Sequence, residues 1–201
     1  MQNSNFAKRE LAEDIFYGQV VINWARWFIV AAGIVLILWT AEEESLAVLG
    51  VIPVVAIMGI NFYLHGRLLA DRPANTALVA ITSFLDLAVI TTLVLVWSEQ
   101  NGLASPFFIL YYPVVLAFAF VIPPKISIPF TVVTVATYGA ACILADPEML
   151  NSVAYVKALV LRAITLGAMG GLAAYYWRTE SGRPRLNVRT ENASRDETTV
   201  A

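Results

Sequence analysis

The chain has 201 residues, 59% hydrophobic and 14% charged, with a mean hydropathy of +0.70. A soluble domain carries about 25% charged residues, so this composition excludes an ordinary water-dissolved globule and points to a chain dissolved in lipid. A net charge of −2 offers no basic excess for nucleic acid. The single cysteine, Cys142, and the single histidine, His65, exclude a disulfide framework, a thiolate metal cluster and most histidine-dependent catalysis.

Residues 1–19 form a polar N-terminal segment, predicted to be cytoplasmic. It is too long for the charged start of a signal peptide, and no small-residue cleavage site follows the first apolar run, so that run is expected to be retained. Between Asn5 and Phe16, apolar Phe6, Leu11, Ile15 and Phe16 alternate with Lys8, Arg9, Glu10, Glu13 and Asp14. This mixture fits a short helix lying on the membrane surface.

A helix needs about 20 apolar residues to cross the roughly 30 Å hydrocarbon core. Backbone groups in lipid must be paired internally, so apolar runs of that length are helices and not strands. Six such runs follow one another: Ile22 to Thr40, Leu46 to Leu64, Thr76 to Trp97, Pro106 to Ile122, Ile126 to Leu144 and Val153 to Trp177. The predicted fold is all-α: a polytopic membrane protein with a bundle of six transmembrane helices over 20–178. A polar tail, 179–201, lacks apolar periodicity and is read as a disordered cytoplasmic segment. No internal repeat is evident, which counts against an inverted-repeat transporter.

Charge sets the orientation. Lys8, Arg9 and Arg26 precede or open the first run, Arg67 and Arg72 follow the second, and Lys125 follows the fourth. Arg178, Arg183, Arg185, Arg189 and Arg195 follow the sixth. The opposite connections hold Glu42, Glu43, Glu44, Glu99, Asp146 and Glu148, with only Lys157 nearby. Positive loops stay inside, so both termini are expected in the cytoplasm. Trp24, Trp27, Tyr63, Tyr175, Tyr176 and Trp177 are expected at the inner interface, and Trp39 and Trp97 at the outer one. Arg26 is expected to snorkel inward.

Two charges remain deep, Asp86 in the third run and Arg162 in the sixth. A charge at that depth costs at least about 2.5–3.5 kcal/mol on insertion scales and needs a partner. An Asp86–Arg162 intramembrane ion pair is therefore predicted, serving either as a proton or ligand site or as a structural clamp. Thr82 and Ser83, one turn back, are alternative partners for Asp86. Ala163, Gly167 and Gly171 form a small-residue stripe suited to helix packing or dimerisation. Pro53 and Gly59 suggest a bend in the second run. Asn61 and Asn75 flank the second connection and are expected to bond exposed helix ends. His65 reads as an interfacial histidine, with no second histidine for a bis-His haem site.

Between the third and fourth runs lies Asn101-Gly102-Leu103-Ala104-Ser105-Pro106-Phe107. Asn-Gly supplies positive φ for a tight turn. Ser105 can cap the next helix, with Pro106 in its first turn. This segment resembles the Gly-Gly-x-x-Asn-Pro-Phe loop in the six-helix membrane input domain of redox sensor histidine kinases of the RegB/PrrB type. Gly102, Pro106 and Phe107 match it, while Asn101 and Ser105 stand where that loop has Gly and Asn. Asp86, Thr91, Thr92, Phe108, Tyr111 and Tyr112 are similar in context. The resemblance implies an outward-facing loop, implicated in quinone binding, on a protein of the bacterial inner membrane. It implies a ligand site at Gly102, Ser105, Pro106, Phe107 and Phe108, with a quinone as the possible cofactor. It covers Asp86 to Tyr112 and the six-helix layout in general; no phosphorylatable histidine or ATP-binding domain is seen after the sixth run, so a histidine kinase is not expected of this chain by itself.

The expected function is thus a non-catalytic, sensor-like membrane domain signalling through a cytoplasmic partner, alone or as a homodimer. The alternative is an accessory subunit of a larger electron-transfer or photosynthetic membrane complex. No nucleophile–base set, phosphate loop or metal-ligand cluster is visible, so an enzyme is not expected.

Overall fold

A computed structural model describes residues 2–41, 43–70, 75–97 and 101–181, with side chains from Gly18 onward except those of Glu44, Thr76, Glu180 and Ser181. Every regular element among these residues is helical: α1 (Gln2–Thr40), α2 (Glu44–Leu69), α3 (Thr76–Val96), α4 (Tyr111–Val121), α5 (Pro124–Ala145) and α6 (Val153–Ser181). Short 3₁₀ turns at Gly102–Ala104, Pro106–Leu110 and Pro147–Asn151 fill the connections. Five stretches are long and apolar enough to cross a membrane: Gly18–Thr40, Ser45–Leu69, Ala77–Val96, Pro124–Ala145 and Val153–Thr179. A sixth, Pro106–Val121, is apolar but shorter. The segment expected to lie on the membrane surface is helical and runs unbroken from Gln2 into the first stretch. Most of the expected tail, 182–201, lies outside the described residues.

The shortness of α4 has a local cause. Pro113 has no N–H, and its ring would clash with the carbonyl of Ile109 in an α-helical turn. The turn before it, Pro106–Leu110, is accordingly wound as 3₁₀. At the other end Ile122 is extended, as a residue before proline prefers. Pro124 then opens α5 at its first turn, where a missing N–H costs nothing.

This short helix is the hub. It packs against α1, α3, α5 and α6, and Tyr111, Val115 and Phe118 are almost completely buried. Phe118 stacks on Phe130 of α5 at 4.0 Å between ring centres, and Phe130 meets Phe84 of α3 edge-on at 5.2 Å. The outer helices turn large apolar side chains away from the bundle, including Phe28, Leu49, Ile81, Val132, Leu161 and Leu172. Such a continuous apolar exterior suits lipid as the solvent.

α1 and α2 are antiparallel. Asn23 meets His65, Trp27 meets Phe62, and Gly33 lies against Val54, so the numbers rise on one helix as they fall on the other. Pro53 sits inside α2, which is assigned as one helix from Glu44 to Leu69. Trp97, at the end of α3, turns its ring into the bundle. Its ring is buried against Gly50 and edge-on to Phe107 at 5.3 Å, and its indole N–H donates to Thr40 Oγ1 at 2.8 Å. A tryptophan with its one donor satisfied is an apolar core residue. Trp39, by contrast, is exposed.

Candidate functional site

Among the described residues two groups of polar side chains stand out, one toward each end of the bundle. Toward the α2–α3 end, three helices each present a polar face. α1 carries Gln19, Asn23 and Arg26, α2 carries Asn61 and His65, and α3 carries Thr82, Ser83 and Asp86. Spacings of three and four residues put each set on one side of its helix. Arg26 and Asp86 are 3% and 4% exposed, and Arg26 Nε donates to Asp86 Oδ2 at 2.7 Å. Asn23 hydrogen-bonds through its side-chain amide to Nδ1 of His65. Thr82 turns its hydroxyl back to the carbonyls of Leu78 and Val79 at 2.9 and 3.0 Å, so it is no partner for Asp86.

The predicted Asp86–Arg162 pair is therefore corrected: Asp86 pairs with Arg26. Depth allowed either choice. At 1.5 Å per residue, Asp86 lies about 15 Å along α3 from Thr76 and Arg26 about 12 Å along α1 from Gly18. The structure holds Arg162 toward the opposite end of the bundle, against the Leu103 carbonyl of the α3–α4 connection and the Tyr138 hydroxyl, and leaves Arg26 beside Asp86. Arg26 does not snorkel out, because the Asp86 carboxyl within reach gives its charge a partner in place.

Asn61 also departs from expectation. It is fully buried, and neither of its side-chain polar atoms bonds another protein group. Asn75 does cap a helix end, accepting from the Leu78 N–H at 2.8 Å.

The second site is the α3–α4 connection. Gly102 is buried at φ +56°, and a Cβ there would lie 2.9 Å from Ala145 Cβ and 3.3 Å from the Cys142 carbonyl oxygen. Only glycine suits both the conformation and the space. Arg162 of α6 closes over this turn. Its Nη1 donates to the Leu103 carbonyl at 2.7 Å and to the Tyr138 hydroxyl at 2.9 Å. Its guanidinium carbon stands 3.7 Å from the centre of the Phe108 ring. Such a half-buried cation over an aromatic face contributes about 1 kcal/mol. Tyr138 packs edge-on to Tyr111, whose hydroxyl is 2.8 Å from Thr91 Oγ1.

Gly102, Ser105 and Phe107, expected to line a pocket open to lipid, are instead buried by the bundle. Ser105 caps the following turn, accepting from the Phe107 N–H at 3.4 Å. Pro106 and Phe108 are half-buried. The accessible part of the loop thus includes Leu103, Ala104, Pro106 and Phe108, the last beneath Arg162, and not Phe107.

The small-residue stripe also sits elsewhere than in the packed interior. Ala163, Gly167 and Gly171 line a groove of about 410 Å³ between α5 and α6, and a Cβ added at Gly167 or Gly171 would meet nothing within 4 Å. Gly170 makes the close approach, since a Cβ there would fall 2.4 Å from Thr131 Oγ1. Cys142 is a buried free thiol. Among the described residues no group of three or more His, Cys, Asp or Glu side chains could hold a metal ion.

Compared with protein-family models, curated proteins and solved structures, the chain matches none.

Two determinants had a readable signal and a third had none. The polar faces at 19/23/26 and 61/65 mark α1 and α2 as lining a polar seam. Gly170 was passed over for a better-spaced stripe. The Trp97–Gly50 contact had no local signal, because it joins helices far apart in sequence.

Proposed function

We propose that this chain is a six-span, non-catalytic sensor-like membrane domain, with Pro106–Val121 as the fourth span and both termini in the cytoplasm of a bacterium. One observation carries the reading: Arg162 of α6 holds the Leu103 carbonyl of the α3–α4 connection at 2.7 Å. α6 runs on from that contact to Ser181. A change at the connection is therefore tied directly to the helix that leads toward the C-terminus, which is the coupling a sensor needs.

The ligand class proposed is a quinone or a similar flat, lipid-soluble molecule with carbonyl acceptors. The residues present fit such a group. Arg162 uses Nη1 for both of its hydrogen bonds, and it is half-buried beside the half-buried Phe108 ring. A carbonyl acceptor would compete with Leu103 for the guanidinium, loosening the loop from α6. Gly102 and Ser105 act by shaping the loop, and Phe107 by anchoring it in the core. The output would pass to a cytoplasmic signalling partner.

The test is purification in mild detergent, followed by extraction and mass spectrometry of bound quinones and co-purifying chains. Arg162→Gln and Phe108→Ala should each lower quinone occupancy in protein that remains folded. Unchanged occupancy in both variants sinks the reading.

A second reading, an accessory subunit of a larger membrane complex, is favoured by the open α5–α6 groove beside Gly167 and Gly171. It predicts a stoichiometric partner chain that Gly167→Leu displaces, with quinone content unaffected.

A further inference from the structure

The α1–α2–α3 seam contains polar atoms that the ion pair leaves unsatisfied. Arg26 Nη1 and Nη2 and Asn23 Oδ1 are buried and make no hydrogen bond to another protein group. The α1–α2 register set by Asn23–His65 and Trp27–Phe62 brings Asn61, with both polar atoms likewise unbonded, to the level of Arg26. Leaving such groups without partners costs about 1–3 kcal/mol each, more for a charged one. Beside Arg26 and Asn23 lies a cavity of about 20 Å³, with Gln19, Leu68 and Val79 toward the α2–α3 end of its lining. A water molecule needs at least about 10–15 Å³ and two to four polar partners; the volume suffices for one molecule, and Gln19, Asn23 and Arg26 are the polar residues of the lining.

The chemistry selects the occupant. Arg26 alone would attract an anion, but Asp86 already balances its charge at 2.7 Å. A bound anion would leave a net negative charge in a low-dielectric site. A neutral molecule that accepts from a guanidinium N–H and donates to an amide oxygen carries no such cost.

We propose that this cavity is a water site: water enters from the α2–α3 end along the Gln19–Asn23–Arg26 face of α1 and bridges the Arg26 Nη groups to Asn23 Oδ1. The Arg26–Asp86 pair is then a hydrated polar centre open toward one end of the bundle, and not a dry clamp. The site is independent of the Arg162 loop.

Hydroxyl-radical footprinting of the full chain in nanodiscs tests this with an internal control. Ile22 and Ile29 lie two turns apart on the same face of α1 and are 6% and 4% exposed, yet only Ile22 lines the cavity. Ile22 should be oxidised severalfold faster than Ile29. Val79→Leu, which fills the cavity from α3, should bring Ile22 down to the rate of Ile29, and Asn23→Leu serves if that variant does not fold. Equal rates in the parent chain overturn the proposal. So does a fast Ile22 that neither variant slows, because labelling would then come from the bulk. Protection of Ile22 by chloride or phosphate would identify an anion as the occupant and overturn it as well.

Discussion

Arg26 Nε lies 2.7 Å from Asp86 Oδ2 and joins α1 to α3 across 60 residues of sequence. Removing one member of such a buried pair strands the other, at a cost of about 3–5 kcal/mol. Asp86→Asn and Arg26→Gln should each lower the unfolding midpoint in detergent, and the double variant should lose less than the sum of the two. Asp86→Asn combined with Arg162→Gln should instead be additive, because those residues share no contact. Additivity in the first pair with coupling in the second would restore the Asp86–Arg162 arrangement.

The turn at Gly102 should tolerate no side chain. Gly102→Ala demands a left-handed backbone at about 1–2 kcal/mol and adds a contact with Ala145 at 2.9 Å. Gly102→Val should be worse, because a β-branched residue resists positive φ. Ala145→Gly should rescue part of the Gly102→Ala loss and none of its backbone part. Thermal unfolding of the three variants measures the division.

Trp97 should report on core packing and not on an interface. Trp97→Phe removes the hydrogen bond to Thr40 and should cost about 1 kcal/mol, plus some lost area. Trp97→Ala leaves a cavity beside Gly50 and Phe107 and should cost about 3–5 kcal/mol. An interfacial tryptophan would give a much smaller difference between the two substitutions, so their comparative unfolding decides the matter.

Arg162 should control access to the α3–α4 connection. Ser105 is 1% exposed, so a Ser105→Cys thiol in a Cys142→Ala background should label slowly. Adding Arg162→Gln should accelerate labelling, because Leu103 and Phe108 lose their common anchor. Arg162→Lys should fall between, since an ammonium keeps the charge but not the planar fork over the ring. Labelling rates unchanged by either substitution would mean that Gly102 alone holds the loop.

Helix existence and approximate ends were legible because runs such as Leu46 to Leu64 need only a count of apolar residues. The breaks at Pro106 and Pro123–Pro124 were legible because proline acts locally. Partner choice was not. Asp86 announced that it needed a cation, but counted along the sequence Arg26 and Arg162 lay at compatible depths, and only the folded chain shows Arg162 drawn away to the Leu103 carbonyl. Gly167 and Gly171 had ideal spacing and line an open groove, whereas Gly170 meets Thr131. A stripe of glycines marks a helix face that can be approached, while the neighbour decides which face is used. The Asn-Gly turn was readable, but its burial depended on Cys142 and Ala145 of α5, far downstream of Gly102 in sequence.

The central position of α4 reverses the order in which the chain could be completed. During synthesis α1, α2 and α3 emerge before the helix that three of their hydrophobic neighbours, Ile29, Ile37 and Leu93, share a core with. α1 packs on α4 as well as on α2, so its second face waits for a segment made later. α4 supplies the missing neighbour of α1 and α3, and α5 and α6, which follow it in the chain, pack on its remaining faces. The shortest of the six helices is thereby the one that most of the others share as a neighbour.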